Sequence, residues 1–296
     1  MSKSDLLAIR SEMLASVRAF FAERNVLEVD TPLLSPYAPI DAHIDIFEVS
    51  LSENEKGFLH SSPEYGMKKV LAKEKRDIYQ LGHVFRKGEK GALHAPEFTM
   101  IEWYRIETTF EHFLQENLAL LSLFLGEKGY EVIPYQETFK NQVGLCFDTP
   151  KETLAARGKE LGIELHDIDD VINLLWGCIV EPTLGQGKVT VITDFPQEQA
   201  ALAQIKNGVA ERFEFYFNGI ELGNGYHELT DPKEQLERLN RSNQERLSLG
   251  KTSLPIDPEL IKALESGLPD CYGIALGFDR LLMLKSGYSK IHCYYN

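Results

Sequence analysis

The chain has 296 residues, 43% of them hydrophobic and 26% charged, with a formal net charge of -14. That balance supplies ample material for a core and predicts one large domain, 1–296, with a less regular helical insertion at about 130–187. So negative a chain is not expected to bind nucleic acid broadly, which needs a basic surface, and tRNA binding is not expected.

The run Lys68, Lys69, Lys73, Lys75 and Arg76 reads either as a local basic patch or as a solvated helix face. The cysteines Cys146, Cys178, Cys271 and Cys293 are widely spaced and form no CxxC pair. A structural zinc site and a disulfide framework are therefore not expected; reduced thiols of a cytoplasmic protein are. Asp5, Arg10, Glu12 and Arg18 interrupt the apolar positions of the N-terminal segment, so it reads as neither a signal peptide nor a membrane span.

In chain order, Leu6, Ile9, Met13, Val17, Phe20 and Phe21 recur at helical spacing and predict a helix over 4–24. Leu27–Asp30 alternates like a strand and Thr31-Pro32 ends it. Ile44–Leu51 alternates again, Phe58–His60 is a short strand candidate, and Pro63–Ala72 opens a helix with Pro63 in its first turn. Asp77–Arg86 and Glu97–Glu107 read as strands around the Gly- and Lys-rich loop Lys87–Ala95. A helix with a leucine stripe follows over Thr109–Gly126, and a stretch read as helical runs from Tyr130 to about Gly187. Val189–Ile192, Arg212–Phe217 and Gly219–Leu222 are strand candidates. Pro232–Leu249 and Pro258–Ser266 are helices, Gly273–Gly277 is an apolar strand, and Phe278–Lys285 is a final helix. Strands in excess of helices, without strict alternation, predict an α+β fold with an antiparallel sheet flanked by helices.

Three familiar motifs fail on inspection. Gly187-Lys188 is no phosphate loop, because Pro182 and Val189 stand where glycine and Ser or Thr are needed. Gly223-x-Gly225 lacks the third glycine of a dinucleotide fingerprint, and His227-Glu228 lacks the second histidine of HExxH.

Activating a carboxylate with ATP requires cations at the α-phosphate, carboxylates for magnesium and a flat slot for adenine. Arg86 ends one strand candidate and Arg280 opens a helix, so two arginines on ordered elements could clamp a phosphate. Phe98 can stack on a base, although ordinary sheet core is an equal reading for it. Glu214 and Glu221 lie seven apart, and on adjoining strands both could reach one metal; an exposed face is the competing reading for Glu214. Glu64, Glu102, Tyr104 and Glu228 gather acid and aromatic character suited to an amino acid with a second ammonium, whereas a site for aspartate would show extra arginine or lysine.

The segments APEFTMIEWY, GIELGNGYHEL and GIALGFDRLLML are similar to signature segments of class II aminoacyl-tRNA synthetases of the lysyl branch, and RAFFAERNVLEVDTP resembles their dimer-forming first motif. The resemblance spans nearly the whole chain and is densest at 58–105 and 209–284. It implies the class II fold and a homodimer. It also implies ATP contacts from Arg86, Lys87, Gly88, His94, Ala95, Phe98, Glu221, Leu222, Gly277 and Arg280, with Arg86 and Arg280 catalytic. By the same resemblance Glu214 and Glu221 hold Mg2+. Ser62, Pro63, Glu64, Glu102, Tyr104, Asn224, Tyr226, Glu228 and Ala275 would meet the amino acid.

SSPEYGMK, LHAPEFTMIEWYR, ELGNGYHELTD and GLPDCYGIALGFDRL resemble more closely the short paralogues of that branch that lack an anticodon-reading domain and modify translation elongation factor P. For them the amino acid is (R)-β-lysine or lysine and the acceptor is a lysine side chain of elongation factor P. Ala275 stands where full-length lysyl enzymes usually carry glycine, a methyl group that would reshape the pocket near the substrate amine; a small core residue is the plainer reading.

The chain departs from the lysyl pattern at Lys87-Gly88, where Asn-Glu is usual, at Ala95 in place of asparagine, and in its ending at Asn296. Other readings keep the adenylate but charge tRNA or ammonia, or make the chain an inactive regulatory paralogue. The retained Arg86, Glu214, Glu221 and Arg280 weigh against the last.

Overall fold

The computed structural model describes residues 3–147, 149–162 and 167–291, so Cys293 and the ending at Asn296 lie outside the described residues. The chain divides into two compact units, Met1–Gly126 with His227–Asn296, and Glu127–Tyr226.

The first unit opens with helix α1 (Lys3–Glu23), whose Leu6, Met13, Val17, Phe20 and Phe21 are all buried, as their spacing predicts. Strands β1 (Leu27–Glu28), β2 (Leu34–Ser35), β3 (Phe47–Ser50) and β4 (Lys56–Leu59) precede α2 (Glu64–Glu74). Then come β5 (Ile78–Phe85), β6 (Glu97–Ile106) and α3 (Phe110–Leu125), the last capped by Thr109 accepting from the backbone N–H of His112.

The second unit holds β7 (Tyr130–Pro134), α4 (Tyr135–Val143), α5 (Lys151–Lys159), α6 (Ile168–Leu175), a π-helical turn at Trp176–Val180, β8 (Val189–Thr193), β9 (Phe195–Pro196), β10 (Ile205–Lys206), β11 (Val209–Ala210), β12 (Arg212–Phe217) and most of β13 (Ile220–His227). The chain then adds α7 (Pro232–Ser248), α8 (Pro258–Glu265), β14 (Cys271–Gly277) and α9 (Phe278–Ser286) to the first unit.

Strands of the first unit run in the order β1-β5-β6-β14, antiparallel except for the short parallel pair β1/β5. Those of the second run β13-β12-β8-β7, with β7/β8 parallel. This is the α+β architecture the sequence predicts.

Alternation along β6 decides where chemistry can sit. Ile101 and Trp103 are buried on one face, Trp103 meeting Phe21 of α1 at 5.3 Å and Phe113 of α3 at 5.8 Å. The opposite face carries Met100, Glu102 and Tyr104.

Two elements differ from expectation. Tyr130–Pro134 is a strand rather than helix, because its alternating side chains pair in register with Val189–Thr193. β13 runs on to His227, well past Leu222. Gly223 and Gly225 read as loop signals, yet they stand opposite Phe215 and Phe213, where small residues let bulky neighbours fill the ladder.

Candidate active site

The candidate site residues fall into three groups of polar side chains. The first lies around β6 and α2. Register places Ala275 opposite Glu102 and Gly273 opposite Tyr104, so all four share one face. The Tyr104 hydroxyl donates to Glu102 Oε1 at 2.7 Å, while Glu102 Oε2 is buried with no hydrogen-bond partner among the described residues. Lys68 Nζ bridges Glu64 Oε1 at 2.7 Å and Glu228 Oε2 at 2.6 Å. A Cβ on Gly273 would fall 2.4 Å from Glu228 Oε1 and 2.5 Å from the Tyr104 ring, so only glycine fits there.

Ser62 and Pro63 lead into α2, and Pro63 occupies its N-cap position, which sets Glu64 in the first turn. Burial, reinforced by the Glu64 charge, pushes the Glu102 carboxyl up to about 8, against the Tyr104 hydrogen bond. Burial likewise raises Glu228 to about 7, with Lys68 opposing. Burial alone would lower the Lys68 ammonium, but Glu228 and Glu64 outweigh it and hold the charged form.

A second group follows the ends of β5 and β14. Arg86 is fastened by its N–H to Pro96 O at 2.9 Å, and its guanidinium carbon lies 5.2 Å from the Phe98 ring centroid. Its Nε is buried with no hydrogen-bond partner among the described residues, and Glu89 stands 3.8 Å from its Nη1. Lys87, Gly88 and Ala95 lie on the loop between β5 and β6, where the Lys87 N–H bonds Asp45 O at 2.8 Å. Arg280, in the first turn of α9, donates from Nε to Leu93 O at 3.3 Å and lies 2.9 Å from His94 Nε2 through Nη2. The nearest atoms to a Cβ at Gly277 would be Arg280 side-chain carbons at 3.6–3.7 Å, ordinary contact distances, so the protein itself does not demand glycine there.

The helix bearing Arg280 is locked to the strand bearing Phe98. Arg10 of α1 contacts Asp279 Oδ1 at 2.5 Å and Thr99 Oγ1 at 2.6 Å, and Asp279 Oδ2 accepts from the Thr99 N–H at 2.6 Å. Arg10→Met would leave Asp279 buried without this cation, a loss of about 3–5 kcal/mol. Thermal unfolding should register it as a lowered midpoint; an unchanged midpoint would contradict the lock.

The third group lies within the second unit. Arg212 and Tyr216 engage Glu214, the guanidinium on Oε1 and the Tyr216 hydroxyl on Oε2 at 2.5 Å. Register pairs Glu214 with Asn224 and Tyr216 with Glu221, so Glu221 shares the face of Glu214. Arg212 Nε donates to Asn224 Oδ1 at 3.2 Å, and Asn224 Nδ2 donates to the Tyr226 hydroxyl at 3.1 Å. The Leu222 side chain is buried, which leaves its backbone as the part able to meet a ligand.

The sequence of the chain matches a known family model. The model for class II tRNA synthetases (D, K and N) covers residues 2–294. The chain belongs to this family. Within this class II family it is 43% identical to an elongation factor P–(R)-β-lysine ligase of Pasteurella multocida, over 98% of this chain and 94% of the relative. It is 44% identical to the protein of the same name from Vibrio cholerae, over 95% of this chain and 91% of the relative. A Mannheimia succiniciproducens relative, also so named, is 42% identical over 96% and 92%.

Among the residues of this class II protein, sequence reasoning missed Lys68. It was grouped with surface lysines, yet it is fully buried, while Lys69 pairs with Asp257 at 2.6 Å. The signal was present: Glu64 and Lys68 stand four apart on one helix face. Arg212 and Tyr216, which hold Glu214, were also missed. Their alternation with Glu214 along β12 was the available clue.

Proposed function

We propose that this chain activates (R)-β-lysine with ATP as an aminoacyl-adenylate and transfers it to a lysine side chain of translation elongation factor P. The observation that carries this reading is the buried group Glu64, Glu102, Tyr104 and Glu228. Its three carboxylates face a single ammonium, that of Lys68, and Glu102 Oε2 lacks a partner among the described residues. Such a pocket suits a cationic amine and repels an aspartate side chain. The names of the similar proteins supply the β isomer and the acceptor.

In the first step a carboxylate oxygen of the amino acid attacks the α-phosphorus of ATP, the bond to the bridging oxygen breaks, and pyrophosphate leaves. In the second, the unprotonated ε-amine of the acceptor lysine attacks the carbonyl carbon. AMP departs with the electron pair of the broken C–O bond, and the amine sheds a proton. Arg86 and Arg280 stabilise the charge that builds on the phosphate oxygens, and Phe98 offers a face to adenine. Lys87, Gly88, His94 and Ala95 line the phosphate side, and Gly277 leaves room beside its strand. Asn224 and Tyr226 are assigned to the amino acid, with Ser62 and Pro63 at its rim. The methyl of Ala275, opposite Glu102, trims the space available to the amine, an effect of about 1–3 kcal/mol between isomers.

Glu214 and Glu221 are the residues assigned to magnesium. The two acids share a face, and the Glu221 charge adds to burial in raising the Glu214 carboxyl, with Arg212 opposing. A divalent cation would relieve that repulsion and neutralise phosphate charge. Among the described residues no cluster of three or more metal-ligating side chains occurs. That suits an ion held by one or two carboxylates together with substrate phosphates.

A homodimer is part of the proposal. Leu27, in the segment resembling the dimer-forming motif, and Leu33 and Leu34, just after it, are 38–39% exposed and offer apolar surface suited to a second copy. Leu34→Asp should convert the dimer to monomer in size-exclusion chromatography with light scattering; a variant that remains dimeric would remove this surface from the interface. No described helix is long and apolar enough to cross a membrane, and we assign the protein to the cytoplasm, with its acceptor.

Amino-acid-dependent ATP–pyrophosphate exchange tests the adenylation step. Exchange is expected with (R)-β-lysine, weaker with lysine and absent with aspartate. Exchange driven best by aspartate, or by no amino acid, would overturn the reading.

A further inference from the structure

Lys68 is the buried lysine among the described residues, and its ammonium meets two acids. It reaches Glu64, one turn earlier on α2, and Glu228, just beyond β13, at 2.7 and 2.6 Å. The third acid, Glu102 on β6, is tied through Oε1 to the Tyr104 hydroxyl, while Oε2 stays buried and unpartnered among the described residues. Further charged and titratable groups face this cluster. Tyr65 lies on α2 itself, and Asp257 caps α8 and is held by Lys69. His227 is bonded to Asp270 at 2.8 Å, and the Cys271 thiol begins β14.

We propose that Lys68 is the pocket's resident counter-cation: it fixes Glu64 and Glu228 before substrate arrives and leaves Glu102 Oε2 as the carboxylate oxygen that receives the incoming ammonium. This rests on the reading of the pocket as an amine site. Lys68 is then a positioning residue that also sets the charge the pocket accepts. Lys68 offsets only one of the three carboxylate charges, so the pocket favours a cationic ligand, and a neutral or anionic side chain leaves a buried carboxylate uncompensated.

Two consequences follow. In the empty pocket Glu102, pushed up to about 8, holds a proton at neutral pH, and an ammonium arriving at Oε2 replaces it. Amine binding is therefore accompanied by proton release. Removing the Lys68 charge takes away a cation that lowers Glu228 and Glu102, so these acids hold their protons to higher pH. The acid limb of the activity profile then moves in the alkaline direction. A side chain that merely filled space would lower activity evenly across pH.

The test compares the full-length protein with Lys68→Arg and Lys68→Met in amino-acid-dependent pyrophosphate exchange across neutral pH, with circular dichroism to check folding. Lys68→Met is expected to raise KM for the amino acid about tenfold or more and to move the acid limb upward by about a unit, and Lys68→Arg to keep the original limb. An unmoved limb in a folded Lys68→Met protein overturns the inference. Should Lys68→Met fail to fold, calorimetry on the unaltered protein decides. Amino-acid binding measured at pH 7 in buffers of different ionisation enthalpy should release a proton, and no release, or uptake, overturns it. An unaltered protein showing no amino-acid-dependent exchange defeats the amine-site reading itself, and this inference with it. Normal exchange beside an unmoved limb defeats the role of Lys68 alone.

Discussion

Arg280→Ala is expected to reduce amino-acid-dependent ATP–pyrophosphate exchange by about 10²–10³-fold, the usual loss when one preorganised charge-stabilising donor is removed. The guanidinium stands in the first turn of α9, where it meets Leu93 O and His94 Nε2. Its helix is fixed independently through Asp279, Arg10 and Thr99, so the substitution removes the cation without releasing the element that carries it. The melting temperature should therefore change little. An Arg280→Ala protein with normal exchange would remove this residue from the phosphate site. One that has also lost its fold would show that the lock depends on Arg280.

The second large effect concerns Glu102. Glu102→Gln keeps the shape and the Tyr104 contact but removes the charge offered to the substrate ammonium. Losing one member of a buried charged pair costs about 2–5 kcal/mol, so kcat/KM for the amino acid should fall roughly 30-fold or more.

The same change acts in the opposite sense on the empty protein. The folded-state carboxyl lies at about 8 against an ordinary 4.5, so the native state binds the proton more tightly than the unfolded chain. Stability from this group is complete below pH 4.5 and is lost as pH rises towards 8. Glu102→Gln removes that loss. At pH 8 and above the ligand-free variant should unfold at a higher temperature than the original protein, while the two converge near pH 5. A variant less stable at both pH values would mean that the Glu102 charge supports the fold rather than the ligand.

This opposition, in which a group weakens the empty fold and strengthens the complex, is what a pre-built binding pocket costs. It also explains why β6 was readable from sequence. Glu102 and Tyr104 alternate with Ile101 and Trp103, and an acid on a strand so rich in aromatics needs a partner. Helices α7, α8 and α9 were legible because their apolar spacing and their proline or glycine boundaries agree with their packing, and α1 because its apolar spacing alone does.

Lys68 was illegible for the opposite reason. It stands in a run of lysines, and composition points such a run at solvent, whereas tertiary context turned one of its members inward between two acids. Local pattern also failed at β13, where Gly223 and Gly225 resemble a loop until the opposing phenylalanines are known. The Arg10–Asp279 lock joins residues 269 apart in the chain, a pairing no local pattern can suggest.

The decisive measurement is the intact mass of purified elongation factor P after incubation with this protein, ATP, magnesium and (R)-β-lysine, with lysine in a parallel reaction. A gain of one lysyl unit is expected, larger with the β isomer and dependent on ATP. An acceptor of unchanged mass, beside a protein that still catalyses amino-acid-dependent pyrophosphate exchange, would contradict the proposed transfer.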